Sequence, residues 1–329
     1  MENFNTIEFH RQRDFSKKMN ATFEFIRQNW KPLFKSILVI AGPPVIVASL
    51  IIGSFFGDLL SFSQGVANSA TDPQASQDYF MSVSFWLQLV LAMIFFLLSS
   101  VMSVATINNY LILYGEKQSN LIQVAEVWER VSATFWMYFR TMLFFWFLVI
   151  AMYILLAIPV VMLAAISPGL IILGMMMLFF AIIYLVISLS LTFIIRGVEK
   201  KRFFDSIARS FKLVQGKWWS TFGLILVLYF VMMTISYIPL IPWYATMIAT
   251  ALHNTSDAGV DNSQSFSGVL MMAFFTLYYM IQIMLSALPN IGIAFQYFNL
   301  VELKEAKGLI SDIDTFGQAP SPTTPDEQY

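Results

Sequence analysis

Three side chains late in the sequence, Gln282, Ser286 and Asn290, stand four residues apart. On a helix such a set drifts by about 80° and keeps to one broad face. Each carries hydrogen-bonding atoms without charge, and all lie in a run, 262–301, that contains no Asp, Glu, Lys or Arg. A second concentration of polar residues, Gln88, Ser99, Ser103, Thr106, Asn108 and Asn109, lies in the charge-free run 79–115. In so apolar a setting, amides and hydroxyls must face protein, water or a ligand. They can bond one another between helices, or line a cavity that holds a lipid head group or a small solute. Asn108, Asn109, Gln282, Ser286 and Asn290 are therefore the candidate intramembrane polar site. Beside them Pro289 removes a backbone N–H and frees a carbonyl one turn earlier, which suits a kink or a binding site.

Other chemistry finds little footing. Cysteine is absent, which removes disulfides, thiolate nucleophiles and cysteine-held metals. The patterns Gly-x-x-x-x-Gly-Lys, His-Glu-x-x-His, Gly-x-Ser-x-Gly and Gly-x-Gly-Asp do not occur. His10 and His253 lie outside the apolar runs and on opposite sides of the membrane in the topology below, so they form no joint site. Pumps and proton relays keep ionisable groups near the bilayer midplane, but here Lys35, Arg140 and Arg196 stand only at the edges, where long side chains reach water. The expectation is a protein with no catalytic, cofactor-binding or metal-binding set.

The elements that must position these residues follow from composition. Apolar residues make up 58% of the chain and charged residues 12%, about half the usual globular share. Charge-free runs at 36–57, 79–115, 141–195, 218–256 and 262–301 accommodate six helices of about 20 residues, two of them within 141–195. The expected spans are 36–57, 80–114, 141–164, 169–195, 219–250 and 268–300. Of nineteen Lys and Arg, seven precede residue 36, three (Lys117, Arg130, Arg140) lie between the second and third spans, seven lie between 196 and 217, and two follow Glu302. The loops 58–79, 165–168 and 251–267 have none, so the positive-inside bias places both termini in the cytoplasm. Asp58, Asp72, Asp78, Asp257 and Asp261 sit there among Ser, Asn, Gln and Gly, and read as solvated loop residues rather than a cation site. The first 35 residues hold no early apolar block, so the first span is expected to direct its own insertion. With net charge −1 and the basic residues beside the spans, nucleic-acid binding has no support.

The chain also repeats. Before the fifth span stand Phe204, Ile207, Phe211, Val214 and Trp218; moving back by 83 residues gives Leu121, Val124, Trp128, Val131 and Phe135, and by 188 gives Ser16, Met19, Phe23, Ile26 and Trp30. Spacings of 3 and 4 place each set on one helix face. Opposite lie Lys17, Lys18, Glu24, Arg27 and Lys31 in the first copy, and Arg209, Lys212 and Lys217 in the third. The pattern predicts amphipathic helices at the cytoplasmic interface, with Phe23, Trp30, Trp128, Phe135, Phe211, Trp218, Lys17, Lys18, Arg209 and Lys212 as candidate lipid contacts. Two spans per unit return the chain to the same side, so the copies, about 15–117, 120–200 and 203–304, are parallel. The fold expected is all-α: a polytopic bundle of six transmembrane helices over 1–310, built from three such units. A proline-rich cytoplasmic tail, 312–329, is expected to be disordered.

The stretch Ile207-Ala208-Arg209-Ser210-Phe211-Lys212-Leu213-Val214-Gln215-Gly216-Lys217-Trp218-Trp219, continuing Ser220-Thr221-Phe222-Gly223, resembles the element before a span in the membrane-domain superfamily of bacterial glycerophosphoryl diester phosphodiesterases. That stretch and the exit Phe295-Gln296-Tyr297-Phe298-Asn299-Leu300-Val301-Glu302 also look like uncharacterised six-span membrane proteins of Bacteroidota. The resemblance implies a membrane module of the bacterial cytoplasmic (inner) membrane. It does not carry the hydrolase activity, because that family's catalytic barrel has no room in this chain. The leading expectation is a non-enzymatic, lipid-contacting scaffold or accessory subunit of a membrane assembly. The alternative is a transporter or channel for a lipid or small neutral solute. Expected partners are membrane lipids, with another membrane protein in the accessory-subunit reading.

Overall fold

The computed structural model describes residues 6–68, 80–242 and 261–306 together with positions 78, 244, 245, 248, 308, 310 and 313; at 56, 57, 60–68 and 261–271 it describes the helical backbone alone. The tail beyond Ile313, His253, Asp72 and Asp257 lie outside the described residues. Among the described residues the secondary structure is helical, without strands. We number the helices α1 (Phe15–Asn68), α2 (Val83–Lys117), α3 (Val124–Ile166), α4 (Leu170–Leu189), α5 (Thr192–Glu199), α6 (Phe203–Val214), α7 (Trp218–Ser236), α8 (Asp261–Leu285) and α9 (Ala287–Glu305). Six segments, with α4–α5 and α8–α9 each counted as one, are long and apolar enough to cross a membrane.

The segments expected as separate interfacial helices behave differently from one another. α1 runs unbroken for 54 residues through Pro32, Pro43 and Pro44, about 80 Å if straight, and α3 likewise carries its first turns into its span. Of the three segments, only α6 is a helix of its own. The cause is local: Gly216, at φ +82°, turns the chain between α6 and α7, while Gln28 and Ala133 at the corresponding positions remain helical. The three exits are alike instead. α2, α5 and α9 each end on a left-handed residue, Gln118, Lys200 and Ala306, and among the described residues these are all the non-glycines with positive φ.

The core lies between α1, α2 and α9. Phe25 packs edge-on against Tyr114 (4.8 Å between ring centroids) and against Phe295 (6.1 Å). Buried Asn29 accepts from the Tyr110 hydroxyl at 3.0 Å, which satisfies both groups. Fourteen of the nineteen residues of α9 are buried, so this helix is the centre of the bundle. The segment before α1 closes one end: Phe9 stacks on Phe298 (4.9 Å), Arg13 N donates to Asn299 Oδ1 (2.7 Å) and Ile7 N donates to Tyr114 Oη (3.0 Å).

α7 approaches α9 at Gly292, where a Cβ would lie 2.1 Å from Leu228 Cδ1 in the packed interior. Gly292→Ala is expected to destabilise by about 1–3 kcal/mol through overpacking. Leu228→Ala in the same chain should relieve the clash, and unfolding of both variants in mixed micelles measures it. No relief would place the cost elsewhere than at this contact.

The first turns of α3 join this core through Val127, Val131, Tyr138 and Met142, but the rest of α3 and most of α4 lie outside it. The most apolar stretch of α3 contributes no buried residue, and the pair touches through Val160 against Gly174. Phe147, Val161, Met162, Ile172, Met177 and Phe179 are all exposed. An apolar surface this large requires lipid or protein over it.

Candidate functional site

Gln282 and Ser286 reach a recess of about 360 Å³ from α8 and the α8–α9 junction, and Asn290 reaches it from α9. Ser99 and Ser103 from α2, Val45 from α1 and Tyr229 from α7 complete much of its wall. No acidic or basic side chain is among the lining residues. A second recess, about 260 Å³, contains Asn108 and Ser190 and shares Val104, Tyr229 and Asn290 with the first. Four of the five expected polar residues thus border two adjoining cavities. The fifth does not: Asn109 donates to Ala105 O (2.9 Å) and Thr134 Oγ1 (2.8 Å), tying α2 to α3.

The helices break where these cavities are lined. α8 gives way to α9 at Ser286, and α4 gives way to α5 at Ser190 and Leu191. In each break the serine hydroxyl donates to the carbonyl three residues back, Ile283 O at 2.6 Å and Ile187 O at 2.8 Å. Pro289 lacks the N–H that would bond Leu285, which accounts for the first break. Ser286 and Ser103 join across the wall at 3.0 Å. Asn290 Nδ2 donates to Ser286 O (2.8 Å), but its Oδ1, the Gln282 amide and the Tyr229 hydroxyl bond nothing among the described residues. Asn290 lies 15 residues from the end of α9, about 22 Å of helix. These groups are open to the recess, half-buried at Gln282 and Asn290, and so are free to meet a ligand or water. The arrangement can hold an uncharged molecule that both donates and accepts hydrogen bonds. It offers no nucleophile–base pair.

The expected interfacial set divides. Phe23, Trp30 and Trp128 are exposed on their helices, Phe135, Phe211 and Trp218 are half-buried, and Lys17 and Lys212 are exposed. Lys18 departs from the expectation of lipid contact: it is 2% exposed, with Nζ donating to Gln296 Oε1 (2.7 Å) and Ser220 Oγ (2.8 Å). Its place on α1 is in register with buried Thr22, Phe25 and Asn29, so it turns inward as the aromatic side turns out. Arg209 departs as well. It bonds Glu199 Oε1 (3.1 Å) and Glu305 Oε1, joining α5, α6 and α9 at the end of the bundle where the chain charges collect. Glu199 also accepts from the Tyr297 hydroxyl at 2.8 Å.

Compared with family models, curated proteins and solved structures, the chain matches none.

Proposed function

We propose that this chain is a non-enzymatic multi-pass protein of the bacterial cytoplasmic membrane that binds and transfers an uncharged polar molecule, a small neutral solute or the polar head of a lipid. The observation that carries the reading is the convergence of Gln282, Ser286 and Asn290 with Ser99 and Ser103 on one uncharged recess at a broken helix. Volume of this order lies at the lower end of the range for small-molecule sites. Broken helices lining a substrate cavity are a recurrent arrangement in membrane carriers. A lining without acids or bases argues against proton coupling through this recess.

The test is flux through liposomes of phosphatidylcholine and phosphatidylglycerol, read as glycerol-driven reswelling and as dithionite access to inner-leaflet fluorescent phosphatidylcholine. One of the two rates should exceed that of protein-free vesicles. In Gln282→Leu/Asn290→Leu it should fall on the order of thirtyfold, from two lost hydrogen-bond partners at about 1 kcal/mol each. Rates equal to those of protein-free vesicles in both assays would overturn the transport reading.

A second reading, the lipid-contacting scaffold or accessory subunit, is favoured by the α3–α4 pair, whose apolar face is exposed among the described residues. A stoichiometric protein co-purifying from native membranes and lost on placing charges on that face would support it. Part of the same proposal are cytoplasmic termini and three parallel units, for which the left-handed ends of α2, α5 and α9 speak.

A further inference from the structure

Read four residues at a time, one ridge of α1 runs Arg27, Lys31, Lys35, Val39, Pro43, Val47. Three cations give way to three apolar residues within one turn. The change falls at the boundary of the charge-free run, where a bilayer's polar surface meets its hydrocarbon. Two recesses follow the ridge. The first, about 1140 Å³, lies between α1 and the connection into α3; Arg27, Lys31, Lys35 and Trp30 line it, and no acidic residue does. The second, about 400 Å³, lies against α2 and includes Pro43, Val47, Met102 and Trp128. Val39, 55% exposed, lines both, so they form one groove with a cationic and an apolar half.

The cations differ in availability. Arg27 is engaged by Glu24 at 2.8 Å. Lys31 and Lys35 are exposed and pair with no carboxylate among the described residues, although the Lys31 ammonium lies 5.4 Å from the Trp30 ring centroid. From Lys35 to Val47 the helix rises about 18 Å, close to the roughly 15 Å hydrocarbon depth of one leaflet. Trp30 and Trp128, 52% and 49% exposed, bring amphipathic rings to the two halves.

We infer that this groove is a binding site for one anionic phospholipid, its phosphate held by Lys31 and Lys35 and one acyl chain lying in the cleft past Val39 and Val47. A soluble phosphate would use only the cationic half, and an apolar partner helix only the other. A zwitterionic lipid would bring its own ammonium toward the two lysines, so the site discriminates by head-group charge. It is separate from the α8–α9 cavity and stands whether or not that cavity transfers a solute.

Native mass spectrometry of the full chain, released from detergent with equimolar dioleoyl-phosphatidylglycerol and dioleoyl-phosphatidylcholine, tests it. The anionic lipid should be retained in preference. Lys31→Gln/Lys35→Gln should reduce that preference by about fivefold per lysine, and Val47→Trp, filling the cleft, should reduce retention of both lipids. All three positions are exposed, and circular dichroism checks that the variants remain folded. Equal retention of the two lipids, an unchanged preference in the double-lysine variant, or displacement by inorganic phosphate as effective as by the anionic lipid would each overturn the assignment.

Discussion

Gln296→Leu is expected to lower the stability of the folded chain by about 3 kcal/mol, and adding Lys18→Met to recover most of that loss. The Lys18 ammonium is buried with two bonds, to Gln296 Oε1 and Ser220 Oγ, and no carboxylate pairs with it among the described residues. Gln296, itself fully buried, passes its other end to Thr221 Oγ1 at 2.8 Å. Leucine leaves the cation with one neutral acceptor, and a buried charge that loses a partner costs several kcal/mol. Methionine has nearly the length of lysine without the charge, so the double variant exchanges a polar cluster for an apolar one. The double-mutant cycle can be measured by unfolding in mixed micelles. A double variant no more stable than Gln296→Leu would mean that the ammonium finds water, and that its bond to Gln296 is incidental.

The second large effect concerns Arg209, whose side chain is 15% exposed between Glu199 and Glu305. Its pKa is held above the ordinary value, first by the bond to Glu305 and then, against desolvation, by Glu199. A cation with a raised pKa contributes its stability at every pH below the unfolded value, so any loss at low pH must come from the carboxylates. Arg209→Met removes the cation shared by those two acids beside the Tyr297 hydroxyl and leaves Lys201, 2.8 Å from Glu199 Oε2, as a cation still paired there. The expected cost is about 3 kcal/mol at pH 7. It should shrink as pH falls through the ordinary carboxylate range, because protonation removes the repulsion that the variant has acquired. Stability measured at pH 7 and near pH 4 decides this. A deficit that stays constant, or grows on acidification, would show that packing of the arginine stem matters more than its charge.

How far the sequence reached depends on the kind of signal. The spans were legible because charge in hydrocarbon is costly, and every long run without Asp, Glu, Lys or Arg contains a helix. The pairing of Gln282, Ser286 and Asn290 was legible because all three belong to one span. Tyr229 was not, since a tyrosine in an apolar run carries no local sign of what stands beside it. The fate of Lys18 was misread for a physical reason. In water the apolar stripe of a helix seeks the protein and the cations seek solvent; against lipid the aromatic side can face outward, and polar groups then gather inside. Arg209 was read as a surface cation because its partners lie 10 and 96 residues away, beyond any spacing rule. The continuity of α1 through Pro32 was also hidden, and the contrast between Gly216 and the helical Gln28 and Ala133 explains why the chain bends before α7 and not within α1 or α3.

The seating of residues 7–13 on α2 and α9 has a consequence for how the protein is made. Phe9 and Arg13 meet Phe298 and Asn299 only after more than 280 further residues of synthesis. Until the last span is inserted, the ring of Phe9 and the amine of Lys18 have no permanent place, and five helices wait in the membrane around an absent centre. A chain truncated before α9 therefore lacks its middle rather than its edge. It should be cleared by the cell's membrane proteases, whereas a chain stopped after Glu305 keeps the contacts described between residues 7–13, α1, α2 and α9.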